Sequence, residues 1–177
     1  YTVLQSPLTK LGQNVGSVIV LAFICQILWA MGIHGPNTIA AVRDTMFAEA
    51  VNSNVLYAAQ HGTAWGAPFP VTFNGLFDAF GAYGGSGATL GLVIALILFS
   101  KAKDQKSIAK LSLAPGIFNI NEMVIFGLPI ILNPIYIIPF VLAPIVNIII
   151  GYSATCIFKI IPPVAYGVPW TTPGPLI

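Results

Sequence analysis

Glu122 is the only charged residue between Leu111 and Phe158, and it sits in Asn119-Ile120-Asn121-Glu122-Met123 between apolar runs. A carboxylate in such surroundings must be paired, protonated or open to a polar cavity, because an unpaired buried charge costs several kcal/mol. Two further features could share its chemistry. His34 ends an apolar run, with Trp29 before it and Asn37 after it, and Trp170 lies in Val168-Pro169-Trp170-Thr171-Thr172-Pro173. The carboxylate can accept a hydroxyl proton. The imidazole and the amides of Asn37, Asn119 and Asn121 can exchange hydrogen bonds with hydroxyls, and an indole face can stack on a pyranose ring. Such a set suits a sugar. A chemical step would rest on Glu122 and His34 as catalytic groups, the carboxylate taking the proton of a hydroxyl that attacks phosphorus. The bland alternatives stand beside it: Trp29 and Trp170 also fit interfacial anchors, and His34 a hydrogen-bonded residue at a helix end.

The elements that would hold these residues are membrane segments. Of the 177 residues, 56% are hydrophobic and 7% charged, whereas soluble domains carry roughly a quarter charged residues. The expected class is therefore an all-α integral membrane protein. A net charge of +2 is too small and dispersed for a nucleic-acid binder. Cys25 and Cys156 lie far apart in apolar segments and form no metal or redox motif, so neither a metal nor a cofactor is expected. Residues 1–177 read as one membrane domain, expected to be a piece of a longer protein because the chain opens on Tyr1 and stops in a Pro-rich run.

Val15 to Ile33 reads as a first span, closed by His34-Gly35-Pro36. Thr38 to Ala59 carries Arg43, Asp44 and Glu49 and reads as an amphipathic or interfacial helix rather than a span. His61 to Phe80 reads either as a re-entrant segment or as a surface loop. Gly81 to Gly91 holds five glycines and leads into the apolar run Leu90 to Phe99. No Lys-Ser/Thr follows those glycines, which excludes a nucleotide loop and leaves close helix packing or backbone exposed to a ligand. Lys101 to Lys110 is a hydrophilic loop with four lysines against Asp104, which the positive-inside rule puts in the cytoplasm. Leu111 to Asn133, broken by Pro115, Gly116, Gly127 and Pro129, reads as a helical hairpin dipping into the bilayer around Glu122. Ile135 to Phe158 is a full-length span with Pro139 and Pro144 as kinks, and the remainder is too Pro-rich for a regular helix. The fold expected is thus transmembrane helices with one or two re-entrant helical hairpins.

These residues also carry a resemblance. Trp29-Ala30-Met31-Gly32-Ile33-His34-Gly35, Leu113-Ala114-Pro115-Gly116-Ile117-Phe118-Asn119-Ile120-Asn121-Glu122, Val124-Ile125-Phe126-Gly127-Leu128-Pro129 and Val168-Pro169-Trp170-Thr171-Thr172-Pro173 resemble, in this order, the membrane (IIC) component of bacterial phosphotransferase-system sugar permeases. The lactose, cellobiose and diacetylchitobiose group is the one matched, over nearly the whole chain. The resemblance implies the substrate-binding C-terminal part of a homodimeric permease in the bacterial cell membrane. That permease would bind a β-linked disaccharide and present its 6-hydroxyl for phosphorylation by a phosphocysteine on a separate cytoplasmic IIB component, itself charged by IIA. It places the family's histidine and glutamate at His34 and Glu122 and its sugar-contacting tryptophan at Trp170. Met123 stands where the family usually has proline. An ion- or proton-coupled transporter that releases sugar unmodified, with Glu122 as proton carrier, is the competing reading, and a non-transporting membrane scaffold is the third.

Overall fold

The computed structural model describes residues 14–173 and Leu176. In chain order it holds α1 (Val15–Ala30), α2 (Gly35–His61), a π-helix (Asn74–Gly81), a 3-10 turn (Ser86–Ala88), α3 (Thr89–Phe99), α4 (Lys103–Ile117), α5 (Glu122–Gly127), α6 (Pro134–Tyr152) and a terminal π segment (Ser153–Ile157). No strand occurs among the described residues, and the fold is an all-helical membrane one. Two helical stretches are long and apolar enough to cross a bilayer, Asn74–Phe99 and Pro134–Ile157. The second is the Ile135–Phe158 span read from the sequence. The first joins the π-helix and α3 across the glycine-rich kink, so the segment after His61 is loop only as far as residue 73.

α1 is shorter than its apolar run. It covers 16 residues and stops at Ala30, because Gly32 turns into left-handed backbone at φ 82°. The Met31, Gly32 and Ile33 N–H groups fold back onto the carbonyls of the last turn. α2 is longer than the amphipathic or interfacial helix expected, at 27 residues. Its buried positions Gly35, Ile39, Met46, Phe47, Ala50, Asn54 and Ala58 recur at helical spacing, so one stripe faces the interior and packs on α1. Residues 103–110 form the first two turns of α4 rather than a loop. Extended Ala102 starts the helix, and Asp104 in its first turn complements the helix dipole.

Between apolar helices in lipid, burial gives little net drive, and close approach with good packing takes its place. Gly35 is the sharpest instance. A Cβ built there would collide with the Cys25 backbone carbonyl and lie 2.7 Å from its sulfur, so the start of α2 can lie against α1 only with glycine. α3 packs along α4, and α6 packs against α1, the π-helix and the 3-10 turn. Phe47, Phe73, Leu76, Ile125, Leu128, Ile130 and Ile148 fill the shared core. The hairpin is pinned to α1 at its far end, where the Leu132 N–H donates to the Ala30 carbonyl at 3.2 Å.

Candidate functional site: one cavity at the broken hairpin

The hairpin turn is built by Asn119. α4 closes with the Asn119 N–H bonded to the Gly116 carbonyl and the Ile120 N–H to the Pro115 carbonyl, the paired closure of a Schellman motif. That closure needs a left-handed residue, and Asn119 supplies it at φ 62°, a conformation asparagine tolerates better than most residues. Its amide is then spent on tertiary contacts. Nδ2 donates to the carbonyls of Trp170 and Thr172, each at 2.8 Å, and Oδ1 accepts from the Gly84 N–H at 3.0 Å. Asn121 does the same on its other side, donating to the Ser86 carbonyl at 2.6 Å and the Thr89 hydroxyl at 3.0 Å. The two asparagines thus tie the glycine-rich kink and the Trp170 segment to one turn, and their donor hydrogens are engaged by protein.

Gly85 makes this possible. Its φ is 89°, and a Cβ there would sit 2.6 Å from both the Asn119 carbonyl oxygen and the Asn121 amide carbon. Of the two readings of the glycine run, close packing accounts for Gly85 against the hairpin. Exposure to the cavity holds as well, since Gly85 also lines it.

With the backbone so fixed, one cavity of about 560 Å³ opens between α1, α2, the π-helix, the hairpin and the Trp170 segment. All seven residues singled out in the sequence line it: Trp29, His34, Asn37, Asn119, Asn121, Glu122 and Trp170. Their circumstances differ. Glu122 begins α5 and makes no hydrogen bond or ion pair among the described residues. Its Oε2 is enclosed and lacks a partner. Trp29 is 5% exposed, and its indole N–H likewise has no acceptor among the described residues. Trp170 is 65% exposed at the cavity edge, held by its own backbone carbonyl rather than by its ring.

His34 caps α2. Its Nδ1 accepts the Asn37 N–H at 3.3 Å, so in the neutral imidazole Nε2 carries the proton and is a donor. The Trp29 and His34 rings lie 4.7 Å apart, tilted by 53°. The Gly35–Cys25 contact holds that pair together, since it fixes the start of α2 against α1 one residue beyond His34. Met123 leaves the turn intact. It lies in the first turn of α5, where a backbone N–H has no intrahelical acceptor in any case.

Sequence reasoning missed the rest of the lining. Arg43, Asn74, Phe77, Asp78, Ser86 and Val168 also face the cavity. Arg43 belongs to the helix expected to be amphipathic or interfacial. Its Nε donates to Asp44 at 2.7 Å, and its guanidinium lies 5.6 Å from the centroid of the Phe73 ring. Asn74 and Asp78, four residues apart in an otherwise apolar stretch, were the available signal.

The chain is similar to several known proteins over nearly its whole length. The chain is similar to the cellobiose-specific EIIC component of a phosphotransferase system from Lactococcus lactis subsp. lactis, 42% identical over 96% of this chain and 38% of that protein. It is similar to the oligo-beta-mannoside-specific EIIC component from Bacillus subtilis, 39% identical over 98% of this chain and 38% of that one. It superimposes on the crystal structure of the transporter ChbC, the IIC component from the N,N'-diacetylchitobiose-specific phosphotransferase system, with a TM-score of 0.87 and 40% identity over 97% of this chain and 39% of that chain. The chain thus spans about two fifths of the length of these relatives. The family model described as phosphotransferase system, EIIC, matches residues 3–144, and the chain belongs to that family.

Proposed function

We propose that this chain forms the sugar-binding part of a phosphotransferase-system permease that carries a β-linked disaccharide inward and presents its 6-hydroxyl to phosphorylated IIB. The observation that carries the reading is that Glu122, a carboxylate with no protein partner among the described residues, and His34, an imidazole whose Nε2–H has none there either, line the same cavity, edged by an exposed indole. A volume of about 560 Å³ falls in the range of small-molecule pockets, roughly 300–1,000 Å³. The names of the relatives, specific for cellobiose, oligo-beta-mannoside and diacetylchitobiose, support the substrate class.

In the reaction proposed, the sugar 6-oxygen attacks the phosphorus of the IIB phosphocysteine. An oxygen–phosphorus bond forms, the phosphorus–sulfur bond breaks, the thiolate leaves with its electron pair, and the hydroxyl proton passes to the Glu122 carboxylate. His34 Nε2–H holds the same hydroxyl in line. Trp29 N–H is a ready donor to a sugar oxygen, and Trp170 covers a ring face. Asn37 is the one asparagine of the original set whose side chain makes no hydrogen bond to protein among the described residues. Asn119 and Asn121 act by holding the site's backbone. The intact permease works as a homodimer in the cell membrane, with the lysine-rich start of α4 on the cytoplasmic side, where IIB docks.

The test is sugar-6-phosphate formation by the purified protein with phospho-IIB at saturating disaccharide. Glu122→Gln keeps the shape and removes the basicity, so the rate should fall about 10²–10⁴-fold, while sugar binding weakens far less. His34→Gln should show a smaller version of the same split. Uptake of unmodified sugar, with no phosphate ester formed when phospho-IIB is supplied, would replace this reading with the proton-coupled one.

A further inference from the structure

No protein group holds the Glu122 carboxylate, which makes no hydrogen bond or ion pair among the described residues. Its place in the cavity is therefore set by its backbone, at the first residue of α5. α5 has six residues, too few to persist on propensity alone, since isolated helices shorter than about 12–15 residues are marginal. Its start must be fixed from outside. Asn121 begins it, accepting the Val124 and Ile125 N–H groups on its carbonyl at 3.0 Å each. An asparagine in that position ordinarily turns its side chain back onto the helix to cap a free N–H. Asn121 makes no such cap. Its amide turns away instead and gives its hydrogens to the Ser86 carbonyl and the Thr89 hydroxyl.

Thr89 gives the second of those bonds its direction. It is the first residue of α3, is 2% exposed and lies outside the cavity lining. Its single hydroxyl hydrogen goes to the Gly84 carbonyl at 2.6 Å. Only lone pairs remain for Asn121, whose Nδ2 donates to them at 3.0 Å. The Gly84 N–H in turn donates to Asn119 Oδ1 at 3.0 Å. Asn119, Gly84, Thr89 and Asn121 thus form a closed ring of three buried hydrogen bonds, completed by the chain from Asn119 to Asn121. Bonds linked in this way polarise one another and hold as a unit. Ala88, next to Thr89, stands in left-handed backbone at φ 51°, a conformation alanine adopts only where its surroundings impose it. The position of Thr89 is imposed by the same packing.

We infer that Thr89 is a positioning residue for Glu122: its hydroxyl closes the ring that fixes where α5 begins, and so where the carboxylate stands when the sugar hydroxyl is deprotonated. The inference rests on the phosphorylating-permease reading above and adds to it a group that touches neither the sugar nor the carboxylate. With the ring open, the Asn121 amide is free to turn, the start of α5 shifts, and the carboxylate leaves its line to the hydroxyl. A misplacement of about 1 Å at a reacting group can cost ~10²-fold in rate. Sugar affinity is spread over the other lining residues and depends on the ring far less.

The experiment compares Thr89→Val, which keeps the shape and removes the hydroxyl, with Thr89→Ser, which keeps the hydroxyl, in the full-length permease. Sugar-6-phosphate formation with phospho-IIB is measured at saturating disaccharide, and disaccharide affinity by calorimetry. Thr89→Val should phosphorylate at least tenfold more slowly while binding the sugar within threefold of the unmodified protein, and Thr89→Ser should stay within threefold on both. Added to Glu122→Gln, Thr89→Val should change the residual rate less than twofold, because the group it positions is already gone. The inference is overturned if Thr89→Val keeps the rate within threefold, if it loses affinity as much as rate, or if Thr89→Ser is as slow. An equal further loss in the Glu122→Gln background overturns it too, since the threonine would then act on the whole fold. Should Thr89→Val not fold, Thr89→Ala takes its place, and failure of both to fold would make the hydroxyl purely structural and the inference wrong. If the unmodified permease forms no phosphate ester, the phosphorylation reading itself fails, a result seen before any variant is made.

Discussion

Replacing Asn119 by alanine perturbs three segments at once, and the size of the effect can be worked from the hairpin geometry. The amide makes two donated bonds of 2.8 Å, to Trp170 and Thr172, and accepts one of 3.0 Å from Gly84. Each bond nets about 0.5–1.5 kcal/mol, with the higher figure where a sheltered partner is stranded. The Gly84 bond is the buried one of the three. Alanine must also adopt the left-handed φ of 62°, which costs an additional ~1–2 kcal/mol. The total destabilisation expected of Asn119→Ala is about 3–6 kcal/mol. Asn119→Gly removes the same bonds without the backbone penalty, so it should recover about 1 kcal/mol relative to alanine. The assay is denaturant unfolding of the protein in detergent micelles, with disaccharide affinity measured on the folded fraction. Affinity should fall in both variants, because the Trp170 backbone loses its anchor to the hairpin. An Asn119→Ala protein within 0.5 kcal/mol of the parent, or one more stable than Asn119→Gly, would refute the account of Asn119 as a left-handed clamp.

Three other outcomes follow from the same geometry. Trp170 is 65% exposed and anchored by its carbonyl, so Trp170→Phe should keep sugar affinity within about threefold and Trp170→Ala should lose ~1–2 kcal/mol of it; equal affinities would argue for a membrane anchor. Gly35→Ala drives a methyl group into the Cys25 carbonyl and should destabilise by about 1–3 kcal/mol as overpacking does, with sugar binding lost as His34 is pushed from Trp29; an unperturbed unfolding midpoint would count against the glycine contact. Ser107 is exposed on α4 among the lysines, so Ser107→Cys, in a background with Cys156 replaced by alanine, should resist impermeant thiol reagents in intact cells, and ready labelling from outside would reverse the orientation.

How much of this was legible beforehand depends on the range over which each feature is decided. The membrane class follows from composition, and the second span from an unbroken apolar run, because burial in lipid acts on every residue of a segment alike. The hairpin could be read at Asn119 to Glu122 because proline, glycine and asparagine break a helix through local backbone sterics. The same locality left α2 with two readings, amphipathic or interfacial, of which its single buried stripe bears out the first. Arg43, Asp44 and Glu49 mark a helix as interfacial only if its polar face meets water or headgroups, and Arg43 in fact lines the cavity. Which side of a helix meets which neighbour is settled by partners far away in sequence.

Motif and resemblance marked His34, Glu122 and Trp170, but they did not distinguish the asparagines. Asn37, Asn119 and Asn121 looked equivalent as hydroxyl partners. Only the packed chain decides that Asn119 and Asn121 give their donors to segments more than thirty residues away, while Asn37 keeps its side chain for the cavity. Asp78 was passed over for the converse reason: in sequence it is one acid in an aromatic, glycine-containing stretch. Its place comes from the π-helical turn, which no local pattern announces, and from the packing that sets it in one cavity with Arg43 of α2. The sequence by itself determined a lipid-embedded helical chain with a breakable centre and a carboxylate that needs company. Tertiary structure decided which polar groups share the cavity with it and which are spent on packing, because a hydrogen bond or a charge pair depends on ångström-scale distances between segments that are remote along the chain.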